Sequence, residues 1–229
     1  MRNLKRLFFT VSILTAFSFS AFAKSGFEFI LNVPIGMGIG IPPKHYKDEN
    51  GAKGKIGFSG GVTAQLGYMA QVSSIFGISI LGELGYYHDT LGMLSPLDNL
   101  GSKYVGSNKT IYYSFDSFQI GLLPKFNIGN FSIGIGGGVK IPISGKRTIK
   151  ALDAEESVKL NRSDIVSMIY PDILGYVKGS LDYSIFFMDN LAFNIGLYLG
   201  YDIMKDIRYY YGIFDIGVEL GLKFGARVN

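Results

Sequence analysis

Apolar and polar residues alternate along this chain with a period of two, most regularly at its C-terminal end. Phe214, Ile216, Val218, Leu220, Leu222, Phe224, Ala226 and Val228 are apolar. Asp215, Gly217, Glu219, Gly221, Lys223, Gly225, Arg227 and Asn229 lie between and after them. This period predicts a β-strand with one apolar face. The run is about three times the usual strand length in soluble domains. Its apolar face needs a cover wider than an ordinary core. A lipid bilayer supplies one, because a tilted strand crosses it in about ten residues.

The same alternation predicts seven earlier strands. The apolar face of the first carries Phe27, Phe29, Leu31, Val33, Ile35, Met37, Ile39 and Ile41. The second carries Ile56, Phe58, Val62, Ala64, Leu66, Tyr68, Ala70 and Val72, and the third Ile78, Ile80, Leu84 and Tyr86. The fourth carries Phe118, Ile120, Leu122 and Phe126, with Tyr112 to Phe115 above it fitting the pattern less well. The fifth carries Phe131, Ile133, Ile135, Val139, Ile141 and Ile143. The sixth is the least regular, with Ile169, Ile173, Val177, Leu181 and Tyr183. The seventh carries Leu191, Phe193, Ile195, Leu197, Leu199 and Tyr201, and the C-terminal run is the eighth.

The connections alternate in length. Short ones fall at Ser73-Ser74, Asn127 to Asn130 and Met188-Asp189-Asn190. Long ones span Pro42 to Lys55, His88 to Thr110 and Gly145 to Val166, and Met204 to Tyr211 is intermediate. Short turns at one end and long loops at the other match a membrane barrel with periplasmic turns and external loops. The face opposite the apolar one is mostly Gly, Ser and Asn. That composition covers nothing against water, but it fits the narrow lumen of an eight-stranded barrel. The small face is therefore expected inward and the apolar face toward lipid. Phe27, Phe29, Phe126, Phe131, Phe186, Phe187 and Phe193 are expected in a belt near the short turns. Tyr86, Tyr87, Tyr112, Tyr113, Tyr201, Tyr209, Tyr210 and Tyr211 are expected in one near the long loops.

The N-terminus agrees with export. Arg2, Lys5 and Arg6 precede the apolar stretch Leu7 to Phe19, and Ala21-Phe22-Ala23 has the form of a cleavage site. Residues 1–23 read as a signal peptide and 24–229 as one barrel domain. The formal charge of +4 falls to about +1 when those three basic residues leave, so the charge gives no argument for nucleic acid. With no Cys there is no disulfide, thiolate metal site or thiol nucleophile. The 31 Gly, 18 Phe and 15 Tyr suit a barrel better than an enzyme.

The signal peptide, eight alternating strands and short and long connections resemble the small outer-membrane barrels of the OmpA, OmpX and OmpW type. That resemblance implies an all-β, antiparallel up-and-down transmembrane barrel in the bacterial outer membrane, inserted by the barrel-assembly machinery and monomeric. Such barrels often end on an aromatic residue. Here the last aromatic is Phe224.

Candidate chemistry is sparse. Glu28, Glu83, Asp172, Asp182, Asp202, Asp215 and Glu219 are expected inward, facing Lys125, Lys140, Lys178, Lys223 and Arg227 as a salt-bridged lumen. Glu28 is expected to pair with Lys223 or Arg227 across a seam between the first and last strands. The only histidines are His45 and His88. His45 could approach Asp116-Ser117, a constellation similar to that of lipid A palmitoyl-transferring barrels. The bland reading is a polar loop residue, and the expectation is no catalytic, cofactor-binding or metal site. Lys44, Lys47, Lys53 and Lys55 crowd the first long loop, and Lys146, Arg147, Lys150, Lys159 and Arg162 the third. They suit anionic headgroups, host matrix or another polyanion, though Asp48, Glu49, Asp153, Glu155, Glu156 and Asp164 balance them. The Asn161-Arg162-Ser163 sequon reads as chance. The expected role is structural, adhesive or ligand-contacting through the loops. A small channel for hydrophobic or minor solutes is the alternative, and a lipid A-modifying barrel enzyme comes third.

Overall fold

The computed structural model describes residues 25–44, 47–48, 51–95, 109–151, 154–168, 173–205 and 210–228. Among the described residues the strands are β1 (Gly26–Ile41), β2 (Lys53–Gln71), β3 (Phe76–Ser95), β4 (Lys109–Ile128), β5 (Phe131–Ala151), β6 (Ala154–Leu160), β7 (Leu174–Met188), β8 (Leu191–Lys205) and β9 (Tyr210–Gly225). One short helix, α1 (Arg162–Met168), lies between β6 and β7. Every pairing is antiparallel, and eight strands close a ring in the order β1-β2-β3-β4-β5-β7-β8-β9-β1. The seam is β1 with β9, from Glu28↔Gly225 to Ile41↔Gly212. Closure leaves no open edge in the ring, as lipid demands of a spanning sheet.

The faces follow the alternation. Phe27, Leu31, Val33, Ile35, Met37, Ile39 and Ile41 of β1 point out, while Glu28, Ile30 and Asn32 are buried inside. The same sense holds around the ring, with Ile80 and Leu122 more than 60 % exposed on the outer wall and Ser79, Glu83 and Lys125 nearly inaccessible within. The turns are tight at one end. Gly129-Asn130 joins β4 to β5, and Gly129 takes φ +57°, a conformation that suits a residue without a Cβ.

Several expectations are corrected. The span His88 to Thr110 is not all loop: β3 runs on to Ser95 and β4 starts at Lys109, so Tyr112 to Phe115 lie in regular strand. The span Gly145 to Val166 contains the upper part of β5, the extra strand β6 and most of α1. These segments were hidden because, above the membrane, each face meets water or protein and polar residues appear on both. Ile173 precedes β7 rather than lying in it, and Ile169 and Asp172 fall outside the described residues. The last strand ends at Gly225. Ala226 to Val228 leave the ladder, so Arg227 is exposed against the Phe186 ring, 5.0 Å from its centroid, and is not inside. The aromatic belts are less sorted than expected. Phe58, Phe118 and Phe214 lie in the outer half, while Tyr87 turns inward and Tyr113 and Tyr211 pack on the internal cluster. A two-residue period assigns faces only where the strand is unbulged, and it does not make Tyr prefer the wall over the lumen. Tyr209 and the side chain of Tyr210 fall outside the described residues.

Met37 and Ile216 are directly opposed across the seam and both face out. In this cysteine-free chain, cysteines at these two positions should form a disulfide on mild oxidation, seen as a gel shift, whereas cysteines at Met37 and Phe126 should not. Leu220→Arg should cost about 2–4 kcal/mol by placing charge on the lipid face. Gly221→Ala should destabilise instead through the lumen, where a Cβ would lie 2.0 Å from Asn32 Oδ1. Urea titration of vesicle-inserted protein measures both, and equal tolerance of Arg at 220 and 221 would show the faces reversed.

Candidate functional site

The lower and middle lumen is crossed by a series of paired side chains, from Glu28 up to Lys140. Near the short-turn end, Lys223 pairs with Glu28, and Ser79 donates to Glu28 Oε2 at 2.5 Å. Asn127 donates to Ser79 and accepts from Ser132. Lys125 reaches Asp182 at 2.8 Å. At mid-height Lys178 bridges Glu219 at 2.6 Å and Glu83 at 3.1 Å. Glu83 also accepts from Gln65, Gln119 and Tyr176. Above this, Lys140 holds Asp202 at 2.6 Å and Asp89 at 3.0 Å, and its ammonium lies 4.1 Å from the Tyr87 ring centroid. Tyr87 donates to the Tyr198 hydroxyl across the lumen at 2.8 Å. Glu28, Glu83 and Asp182 each take a further hydrogen bond, from Ser79, Gln65 and Ser180, which helps these charges stay buried.

The upper lumen is apolar. Leu91, Phe115, Leu174 and Ile213 from the wall enclose Ile165 of α1, all nearly inaccessible to solvent. The sequence places the helix there by a local device. Asn161 Oδ1 accepts from the Asp164 backbone N–H at 3.0 Å, and Asp164 Oδ2 accepts from the Asn161 N–H at 2.9 Å. This reciprocal cap starts α1 at the residue the sequon motif begins on. Arg162 then ties the helix to the wall by donating to the Pro142 carbonyl at 2.7 Å. The void between the ion pairs, lined by Tyr87, Lys140, Tyr198, Asp202 and Asp215 among others, measures about 20 Å³. That is room for one water.

On β3, β4 and β5 the outer wall is apolar up to Tyr86, Phe118 and Ile143 and mostly polar above them, while on β1 and β2 it stays apolar to Ile41 and Ile56. Charges inside, a continuous apolar exterior and a closed backbone ring belong together only in lipid. The chain is an eight-stranded outer-membrane β-barrel. Its lumen matches the inward charges read from the sequence, except Arg227, which is outside, and Asp172, which is not among the described residues. Asp89 and buried Lys109 were missed, because they lie where the sequence looked like loop.

The histidines resolve differently from expectation. His45 lies outside the described residues, and Ser117 points inward and is buried, away from the Asp116 side chain. His88 is the residue that meets Asp116, with Nδ1 2.7 Å from Oδ1, on the outer wall. The signal for this was present: once β3 and β4 pair through Tyr86↔Phe118, His88 must oppose Asp116. Among the described residues, Lys146, Arg147, Lys150 and Lys159 of the third loop gather on the β5–β6 hairpin, while Arg162 lies on α1. Lys146 and Lys159 are directly opposed and exposed, and among the described residues neither meets a carboxylate, while Lys150 meets Glu155 at 3.4 Å.

No family model matches the chain, and no curated protein matches it. Among solved structures it is similar to Ail, the attachment invasion locus protein of Yersinia pestis, in complex with the heparin analogue sucrose octasulfate. The identity there is 12 %, covering 86 % of this chain and 99 % of that one, with a TM-score of 0.39. It is similar to Neisserial surface protein A at 8 % identity, covering 87 % and 97 %, with a TM-score of 0.38. It is also similar to the outer membrane protease OmpT from Escherichia coli at 9 % identity, covering 87 % and 96 %, with a TM-score of 0.37.

Lys178 is the keystone of the mid-lumen, since it neutralises two buried carboxylates. Lys178→Met should destabilise the inserted barrel by about 3–5 kcal/mol. Adding Glu219→Gln should recover part of that loss, measured by the same urea titration. A neutral effect of the single substitution would mean that Glu83 and Glu219 do not depend on it.

Proposed function

We propose that this barrel is a non-conducting surface protein that contacts an anionic ligand outside the cell through its extended hairpin. The observation that carries the reading is the opposed pair Lys146 and Lys159. Like charges directly across a ladder repel, and their cost is recovered when a shared anion sits between them. Their ligand is of the sulfated or phosphorylated polyanion class, such as matrix polysaccharide. The contact itself requires no catalysis. The alternative, a small channel, is disfavoured by the ion-paired lumen and the apolar cluster around Ile165 above it. Removal of residues 1–23 on export, insertion by the assembly machinery and a monomeric state complete the reading.

Two measurements test it. In planar bilayers the refolded mature chain should give no stepwise conductance, and reproducible steps would favour the channel. On a sulfated-polysaccharide column at low salt it should be retained, and Lys146→Ala with Lys159→Ala should elute at markedly lower salt, because fewer counterions are released. Unchanged elution would remove the hairpin from the contact.

A further inference from the structure

One group of acids in the lumen has more charge than its lysine balances. Asp89 of β3, Asp202 of β8 and Asp215 of β9 converge across the ring, at 0 %, 2 % and 2 % exposure. One oxygen from each lies within 4.8 Å of the other two. Lys140 serves this group. Its ammonium lies 3.1 Å and 3.0 Å from the two Asp89 oxygens and 2.6 Å from Asp202 Oδ2. Lys178, the next lysine down, is already held by Glu83 and Glu219. Three carboxylates against one ammonium leave two negative charges over. They sit just beneath the apolar cluster that includes Leu91 and Ile213, two residues further up β3 and β9. Buried charge without a partner is strongly unfavourable there.

A second observation points to what balances it. Asp215 Oδ1 accepts from Ser59 at 2.7 Å, but among the described residues nothing donates to Oδ2. Asp202 Oδ1 is likewise unengaged, since Lys140 takes only Oδ2. Both side chains line the space of about 20 Å³ between the ion pairs. Tyr198 lines it too, and its hydroxyl keeps a lone pair after accepting from Tyr87. A water in that space would satisfy the oxygens and leave the charge.

We propose that Asp89, Asp202 and Asp215 hold a calcium ion in the upper lumen. Charge selects the valence, because a divalent cation with Lys140 brings the three carboxylates to neutrality and a monovalent one does not. Reach selects the size. Calcium binds oxygen at about 2.3–2.6 Å in adaptable geometry, so two of its ligands can stand about 4.8 Å apart, whereas magnesium at about 2.1 Å spans only about 4.2 Å. Asp202 and Asp215 bind through their unengaged oxygens, and Asp89 through one of the two it shares with Lys140. The ion then ties β3 to β8 and β9 across the lumen. Ion pairs below and the apolar cluster above cover the space, so the ion enters as the barrel closes.

The test refolds the full mature barrel in an uncharged detergent, with calcium or with a chelator, and then desalts it. The parent chain should retain about one calcium per barrel, measured by atomic emission. Its urea midpoint should be higher in calcium than in chelator, because the ion binds the folded state. Asp215→Asn removes a ligand charge and should weaken retention by about 10-fold or more. In chelator that variant should be at least as stable as the parent, since it lacks the unbalanced carboxylate. Asp189→Asn, on an exposed turn at the opposite rim, should retain calcium as the parent does. Heat-modifiable gel migration identifies the folded chains. A folded parent that retains no calcium and has the same midpoint with and without it would overturn the proposal. So would parent-level retention by folded Asp215→Asn.

Discussion

Every feature of this molecule depends on the closure of β1 onto β9. In hydrocarbon an unpaired backbone N–H or C=O costs several kcal/mol, so a sheet survives there only as a ring. The seam supplies fourteen opposed positions, from Glu28↔Gly225 to Ile41↔Gly212. Closure also fixes which face is which. Large side chains such as Leu122 and Ile135 gain by pointing into lipid, and the narrow interior accepts only small residues and closely paired charges.

That interior then dictates what the barrel can do. Glu83, Lys178 and Glu219 are too deep to be solvated, so they must hold one another. The same contacts that make the charges affordable fill the cross-section. Above them the chain inverts the usual logic of a channel mouth and closes it with Leu91, Phe115, Ile165, Leu174 and Ile213. A barrel filled in this way leaves its outer surfaces as the place where the proposed contact is made.

Two features of those surfaces stand out. The β5–β6 hairpin projects beyond the ring and sets Lys146 against Lys159, the opposed pair on which the proposed anion contact rests. The outer wall places His88 against Asp116 at the upper boundary of the apolar band. Both arise because β3, β4 and β5 run past the span that lipid requires, at 20, 20 and 21 residues. Extra strand length costs little once the ladder is already nucleated below, and it gives side chains a rigid base.

The sequence by itself determined the strands where one face meets lipid and the other a crowded lumen, as in Phe214 to Phe224. There the environment on each side is uniform and a period of two records it. It also determined which charges turn inward, from Glu28 to Lys223, because parity alone assigns them. It did not determine the upper strands, where Asp89 and Lys109 are buried and Thr90 and Ser114 pair, because both faces there mix polar and apolar residues. Arg227 shows a different limit: alternation continues in the letters after the ladder has ended at Gly225. Partners across strands were decided only by the tertiary structure. The meeting of His88 with Asp116 rather than Ser117, the bridging of Glu83 and Glu219 by Lys178, and the seating of Ile165 in the barrel mouth all depend on register and closure. Those are properties of two or more strands at once, and no single stretch of chain encodes them.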